Sequence, residues 1–195
     1  MPLKLDPHDA VFVVFRSSTT VQSVTVTEPE VETLAVLEGP WDVSFPPGHG
    51  APARARFDQL SSWTENSDPG VKYFSGVATY AKTISFPAEW PQKQARLHLD
   101  LGVVKNLAEV VINGVSIGVA WKPPFKLDIT EAIKAGDNRL EIRIANLWPN
   151  RLIGDKQPGA SKIAYANFDP FTADTPLLPS GLMGPVVLLA SKLLH

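Results

Sequence analysis

The chain contains no cysteine. Disulfides therefore contribute nothing to its stability, and zinc–thiolate sites are excluded, although an extracellular location is not. It also has no strong charge of either sign. The formal net charge is −2 over 195 residues and the pI is about 6.1, so there is no basic surface of the kind nucleic acid demands. No apolar run approaches the roughly 18–20 residues of a membrane span, and Met1 to Phe15 lacks the basic start, apolar stretch and small-residue cleavage site of a signal peptide. Helical periodicity is scarce, and neither βαβ alternation nor a repeat of fixed period occurs. Several catalytic signatures are missing as well. There is no glycine-rich phosphate loop between a strand and a helix, no cysteine nucleophile and no Gly-x-Ser-x-Gly elbow. The four histidines, His8, His49, His98 and His195, have no metal-ligand spacing.

What is present points to β structure. With 44% apolar and 19% charged residues, a chain of this length can bury a proper core as one large domain. Its dominant period is two. Leu97, Leu99 and Leu101 alternate with Arg96, His98 and Asp100, and Leu140, Ile142 and Ile144 alternate with Arg139, Glu141 and Arg143. Each pattern describes a strand with one face in a core and the other in water. Val24 and Val26 alternate with Thr25 and Thr27, as do Trp41, Val43 and Phe45 with Asp42 and Ser44, which puts Trp41 in the core. Val110-Val111-Ile112, Asn113-Gly114 and Val115 to Val119 spell a hairpin, because Asn-Gly supplies the two positive-φ residues of a type I′ turn. Further strands are expected at Val11–Arg16, Val77–Phe86, Phe125–Ile129 and Val186–Ala190. Together these exceed what one flat sheet holds, and two packed sheets follow. One short helix is expected at Thr130–Ala135, with Asp128 or Thr130 at its start and Gly136 at its end.

Two long stretches do not read as strands: Pro46 to Gly76, and Asn146 to Gly184, which carries five prolines and is followed by a sixth, Pro185. Loops of this length are functional, partner-bound or disordered, and the aromatics in them argue against plain disorder. Trp63 and Tyr73 lie in the first and Trp148 in the second, and Trp121 lies beside a loop. A flat aromatic offers a saccharide's C–H face an apolar platform, while neighbouring Asn, Asp or Arg groups bind its hydroxyls. Core or interface packing is the competing reading for each tryptophan. The segment Asn146 to Asp155 concentrates such groups: Asn146, Trp148, Asn150, Arg151 and Asp155. Arg151 can fork onto Asp155, clasping a long loop, or onto an acidic group of a ligand. A hydrolase would need two carboxylates roughly 5–10 Å apart. The loop acids Glu65, Asp68, Asp155, Asp169 and Asp174 are the candidates, against their reading as solvated acids and turn caps. His98, on the polar side of its strand, is a weaker catalytic candidate.

The order of these pieces is informative. Tyr73 to Tyr80, Leu99 to Val104, Ala108 to Gly114, Pro124 to Thr130 and Gly136 to Ile142 resemble the sugar-binding β-sandwich of glycoside hydrolase family 2. Asn146 to Asp155 and Pro179 to Val186 resemble the C-terminal region of family 106, the α-L-rhamnosidase-like hydrolases. The resemblance implies an all-β fold, a galactose-binding-like jelly roll, over residues 37–195. Residues 1–36 then supply N-terminal strands, as an edge hairpin or the remnant of a preceding domain. It also implies that the catalytic carboxylates belong to a barrel outside this chain, so that the chain is not an enzyme by itself. Its partners would be that barrel and an oligo- or polysaccharide, with no nucleic acid and no membrane, and the parent enzyme would be secreted or periplasmic. The residues expected to meet saccharide or barrel are Trp63, Tyr73, Trp121, Trp148, Asn146, Asn150, Arg151 and Asp155. No catalytic residue and no cofactor are expected. A structural calcium, frequent in carbohydrate-binding jelly rolls, is left open, although no Asp-x-Asp-x-Asp-Gly loop occurs. The leading reading is a non-catalytic carbohydrate-binding or accessory module. The alternatives are a purely structural module, with Phe168 to Leu178 as its apolar interface, and a free-standing glycosidase using two loop acids.

Overall fold

The computed structural model describes residues 5–23, 25, 29–88 and 95–192. The alternation through Val24 and Val26, and the terminal His195, fall outside them. Twelve strands are described: β1 Glu30–Val36, β2 Trp41–Ser44, β3 Arg54–Phe57, β4 Val77–Phe86, β5 Ala95–Asp100, β6 Val103–Lys105, β7 Leu107–Ile112, β8 Val115–Ala120, β9 Lys126–Asp128, β10 Gly136–Ala145, β11 Gly181–Gly184 and β12 Val187–Lys192. They form a six-stranded sheet in the order β3-β2-β4-β10-β7-β8, a four-stranded sheet in the order β1-β12-β5-β9, and a two-stranded ribbon β11-β6. The ladders between these strands are antiparallel.

The alternating strands dictate this arrangement. Leu140, Ile142 and Ile144 of β10 and Ala78 and Tyr80 of β4 are fully buried from one sheet, and Leu97 and Leu99 of β5 and Leu188 and Ala190 of β12 are buried from the other, all in one hydrophobic core. Burying a side chain of this size stabilises by about 1.5–3 kcal/mol, and dozens of such contacts offset the entropy of ordering the chain. The polar partners of the β10 alternation stay on the outer face. There Arg139 pairs with Glu141 at 2.7 Å and Arg143 with Glu109 at 3.1 Å. The Asn113-Gly114 hairpin forms with both residues at positive φ, 53° and 84°.

Four expectations are corrected. Val11–Arg16 forms no strand, since no sheet edge of the described chain pairs with it, and Phe12 and Phe15 stand 92% and 94% exposed. The helix expected at Thr130–Ala135 shrinks to a 3-10 turn, Thr130–Ala132. It cannot continue because Asn138, itself buried, accepts from the Lys134 amide and donates to the Lys134 and Gly136 carbonyls. Helical turns appear instead in the two long stretches, as α1 Pro69–Lys72 and α2 Pro149–Gly154, each opened by a proline in its first turn. Those stretches also hold strands, β3 in the first and β11 in the second.

Candidate functional site

Strand register places several of the singled-out residues at one end of the six-stranded sheet. Ala145, the last residue of β10, pairs with Val77 of β4 on one side and with Leu107 of β7 on the other. Ala108 in turn pairs with Ala120 of β8. Adjacent strands lie about 4.8 Å apart, so the residues just beyond these ends form one rim: Asn146 to Trp148, Lys105 to Leu107, and Trp121.

Within this rim the polar side chains of Asn146 to Asp155 point inward. Asn146 donates to the Phe74 carbonyl at 2.9 Å and accepts from the Gly76 amide at 2.9 Å. Ser75, fully buried, donates to the Leu147 carbonyl and accepts from the Arg151 amide. Asn150, 2% exposed, donates to the Leu178 carbonyl at 2.7 Å and accepts from the Leu178 amide at 2.9 Å. It reaches the Ser180 hydroxyl as well, at 3.3 Å. Arg151 directs Nε and Nη2 onto the same Asp155 oxygen, each at 2.9 Å, with both side chains almost wholly buried. The other Asp155 oxygen accepts from the Ile163 and Ala164 amides at 3.0 and 2.7 Å. Buried polar groups must find such partners. Here they find them in the backbone of the long loop, which they clasp from three sides. Of the two roles open to the Arg151–Asp155 pair, the structure places it in the clasp.

The aromatics divide. Trp63 is fully buried, donates its indole N–H to the Tyr80 hydroxyl, and packs edge-to-face on Phe45 and Phe74. Gly181, at φ +99°, lies so close that a Cβ there would stand 2.6 Å from the Trp63 indole nitrogen. Trp63 therefore offers no face to a ligand, because that face is spent on the core. Tyr73 is half-buried against Gly154, where a Cβ would come 2.5 Å from the tyrosine's own Cβ. Trp121 and Trp148 remain open, 64% and 52% exposed. Trp148 stacks on His49, ring centroids 6.2 Å apart and planes 30° from parallel. His49 is in turn fixed by a 3.0 Å hydrogen bond between Nδ1 and the Ser75 carbonyl, so Nδ1 carries the proton.

Beside the clasp lies a cavity of about 220 Å³, lined by Lys105, Asn106, Asn146, Leu147, Asn150 and Leu178 to Ser180. Sequence reasoning missed Lys105, Asn106 and His49. Only strand register brings the first two to this rim, and only the loop path brings the third. Leu147, next to Trp148, could have been found from its neighbour.

The loop acids are also placed. Asp68 caps α1 by accepting from the Gly70 amide, Asp169 pairs with Lys156 at 2.9 Å, Asp155 closes the clasp, and Glu65 and Asp174 are exposed. Hydrogen bonding to Lys156 holds the Asp169 carboxyl below the usual range. Among the described residues, no three His, Asp or Glu side chains gather in a way that could hold a metal ion.

The glycosyl hydrolase 2 galactose-binding domain-like family matches residues 64–171. A putative β-glucuronidase of Formosa agariphila is 38% identical over 194 residues, an alignment covering 87% of this chain and 16% of that protein. The rhamnosidase of Novosphingobium sp. PP1Y superposes with a TM-score of 0.85 at 45% identity, over 90% of this chain and 17% of that one. A β-D-glucuronidase from Dictyoglomus thermophilum shares the fold, with a TM-score of 0.58 at 19% identity, over 86% of this chain and 29% of its own. The chain thus spans about a sixth of the first two.

Proposed function

The chain belongs to the glycosyl hydrolase 2 galactose-binding domain-like family, and on that premise we propose that it is a non-catalytic accessory module of a longer glycoside hydrolase, docking the rim beyond β10 against the catalytic domain. One observation carries this reading. The polar side chains of Asn146, Asn150, Arg151 and Asp155 are turned into the loop, while six large apolar side chains stand exposed at the same end, Val77, Leu107, Trp121, Leu147, Trp148 and Leu178, with Lys105 as the exposed charge among them. An apolar, aromatic-bearing patch with its polar groups already satisfied is the composition of an interface core. The rest of that loop adds Tyr165 and Phe168, both about 80% exposed.

In the longer polypeptide, Leu147→Asp with Trp148→Asp is expected to lower catalytic activity and split a shared unfolding transition in two. In the 195-residue chain alone the pair is expected to cost about 1–2 kcal/mol, since Trp148 is half-buried and stacks on His49, and to leave a single transition. Unchanged activity and a single transition in the long polypeptide would sink the docking reading.

Saccharide binding at the same rim is the second reading. It is favoured by the open faces of Trp121 and Trp148 and by the 220 Å³ cavity carrying Lys105 and Asn106. Calorimetry of the 195-residue chain against plant and bacterial oligosaccharides tests it. Heat that Trp148→Ala and Trp121→Ala abolish supports it, and no heat with any sugar removes it.

A further inference from the structure

Residues 10–15, Ala-Val-Phe-Val-Val-Phe, are apolar without a break, yet every one of them is exposed. Val11 to Phe15 range from 47% to 94% exposure. The segment contributes nothing to the core, which is complete without it. Its β-branched and aromatic content is that of a strand. The absence of alternation is that of a strand covered on both faces, as inside a sheet with layers on each side. A strand added to the edge of an exposed sheet would instead show one polar face. Left uncovered, such a segment is a template for aggregation.

The arm does not leave the sandwich at random. Asp9 and Lys122 form a 2.6 Å ion pair, and hydrogen bonding to Lys122 holds the Asp9 carboxyl below its usual range. Lys122 follows Trp121, so the arm departs from the same apolar rim that the docking reading assigns to the catalytic domain. The relatives extend far beyond this chain, which covers 16% and 17% of them.

We propose that residues 10–15 are a strand of a neighbouring domain in the longer polypeptide, inserted into the interior of that domain's sheet and tied back to this sandwich by the Asp9–Lys122 pair. The proposal shares with the docking reading the existence of the longer chain and the rim from which the arm departs. It concerns a different segment and is read by a different signal.

Hydrogen exchange followed by mass spectrometry on peptides covering residues 10–15 tests it, comparing the 195-residue chain with the longer polypeptide encoded by the same reading frame. Exchange in the short chain is expected within seconds, with slowing of at least a hundredfold in the long one. A Phe12→Asp, Val14→Asp double variant should leave the short chain's unfolding midpoint unchanged, since neither residue packs on the sandwich, while abolishing the protection in the long one. Equally fast exchange in both chains overturns the proposal. So does concentration-dependent dimerisation of the short chain that protects residues 10–15, because the occupant is then a second copy. If the arm is protected but the Leu147→Asp, Trp148→Asp variant is silent, the strand assignment stands and the docking reading falls.

Discussion

Asp155→Asn is the most incisive perturbation of the candidate site. The carboxylate is 3% exposed and receives three hydrogen bonds, from Arg151 Nε and from the Ile163 and Ala164 amides, with Arg151 Nη2 in ion-pair contact at 2.9 Å. The asparagine side chain keeps the shape but removes the charge, and its NH2 must face either the guanidinium or a backbone N–H, donor against donor. Breaking a buried pair from one side costs about 3–5 kcal/mol, because the remaining charge is left uncompensated. A carboxamide oxygen can still accept from one partner, so the cost settles near the lower end, about 3 kcal/mol. At 1.36 kcal/mol per decade, the Ile163 and Ala164 amides should lose about two orders of magnitude of hydrogen-exchange protection if the loop opens by that amount. The same loss should show in the urea midpoint if the clasp is part of the cooperative unit. Arg151→Met combined with Asp155→Leu should recover at least about 1 kcal/mol over Asp155→Leu alone, since an apolar pair leaves no buried charge. If Asp155→Asn changes neither the midpoint nor the two amides by more than about 0.5 kcal/mol, the carboxylate is not holding the loop, and its role as a ligand group has to be reopened.

Two further perturbations test the core and the surface charge. Tyr80→Phe removes the acceptor of the Trp63 indole N–H, whose fully buried donor is left unpaired; a loss of about 1–3 kcal/mol in chemical denaturation is expected, and a neutral result would mean the indole finds another partner. The pH profile should have two acid limbs of different origin. Burial, with help from Lys126 and Arg96 and against Asp128, holds His98 below the ordinary histidine value, so the unfolded chain binds the extra proton and stability falls as pH drops below about 6.5. Hydrogen bonds from Ser116 and Arg143 depress Glu109, whose contribution is present above about pH 4.5 and is lost on further acidification. His98→Gln should flatten the first limb and spare the second, and equal slopes between pH 5 and 7 in both proteins would refute the assignment.

The sheets were legible because period-two alternation over Leu97–Leu101 and Leu140–Ile144 has no helical reading, and because Asn113-Gly114 specifies its turn locally. β3 was hidden because Arg54-Ala55-Arg56-Phe57 buries fully only Phe57 and sits at a sheet edge. The concentration of Asn, Arg and Asp after β10 was legible too, but its direction was not. The same donors and acceptors serve a backbone clasp or a bound sugar, and only the path of a loop returning from Leu178 and Ile163 decides between them. Trp63 carried no local mark of burial, since its partners Tyr80, Phe45 and Gly181 come from three distant parts of the chain. Val11–Phe15 has a strand's composition, and what it lacks among the described residues is a partner strand.

The inward turn of the clasp bears directly on what the rim can bind. Association costs most where loops must be ordered and polar groups stripped of water without replacement. Here the ordering is done beforehand: Asn146, Ser75, Asn150 and Asp155 fix the loop, and His49 fixes the Trp148 ring from below. Leu147, Trp148 and Leu178 can then be covered by an apolar surface while the loop's polar groups keep their internal bonds. A saccharide would demand the opposite, a ring of uncommitted donors and acceptors around the aromatic face. The Asn146 and Asn150 side chains in the cavity wall are already engaged, and the Ser180 hydroxyl accepts from Asn150, which among the described lining residues leaves the side chains of Lys105 and Asn106 to meet hydroxyls. Two polar side chains beside two open tryptophans suit a contact shared with another domain better than a self-sufficient sugar site. On the proposed docking reading, Lys105 and Asn106 would meet a sugar only together with groups supplied by the other domain.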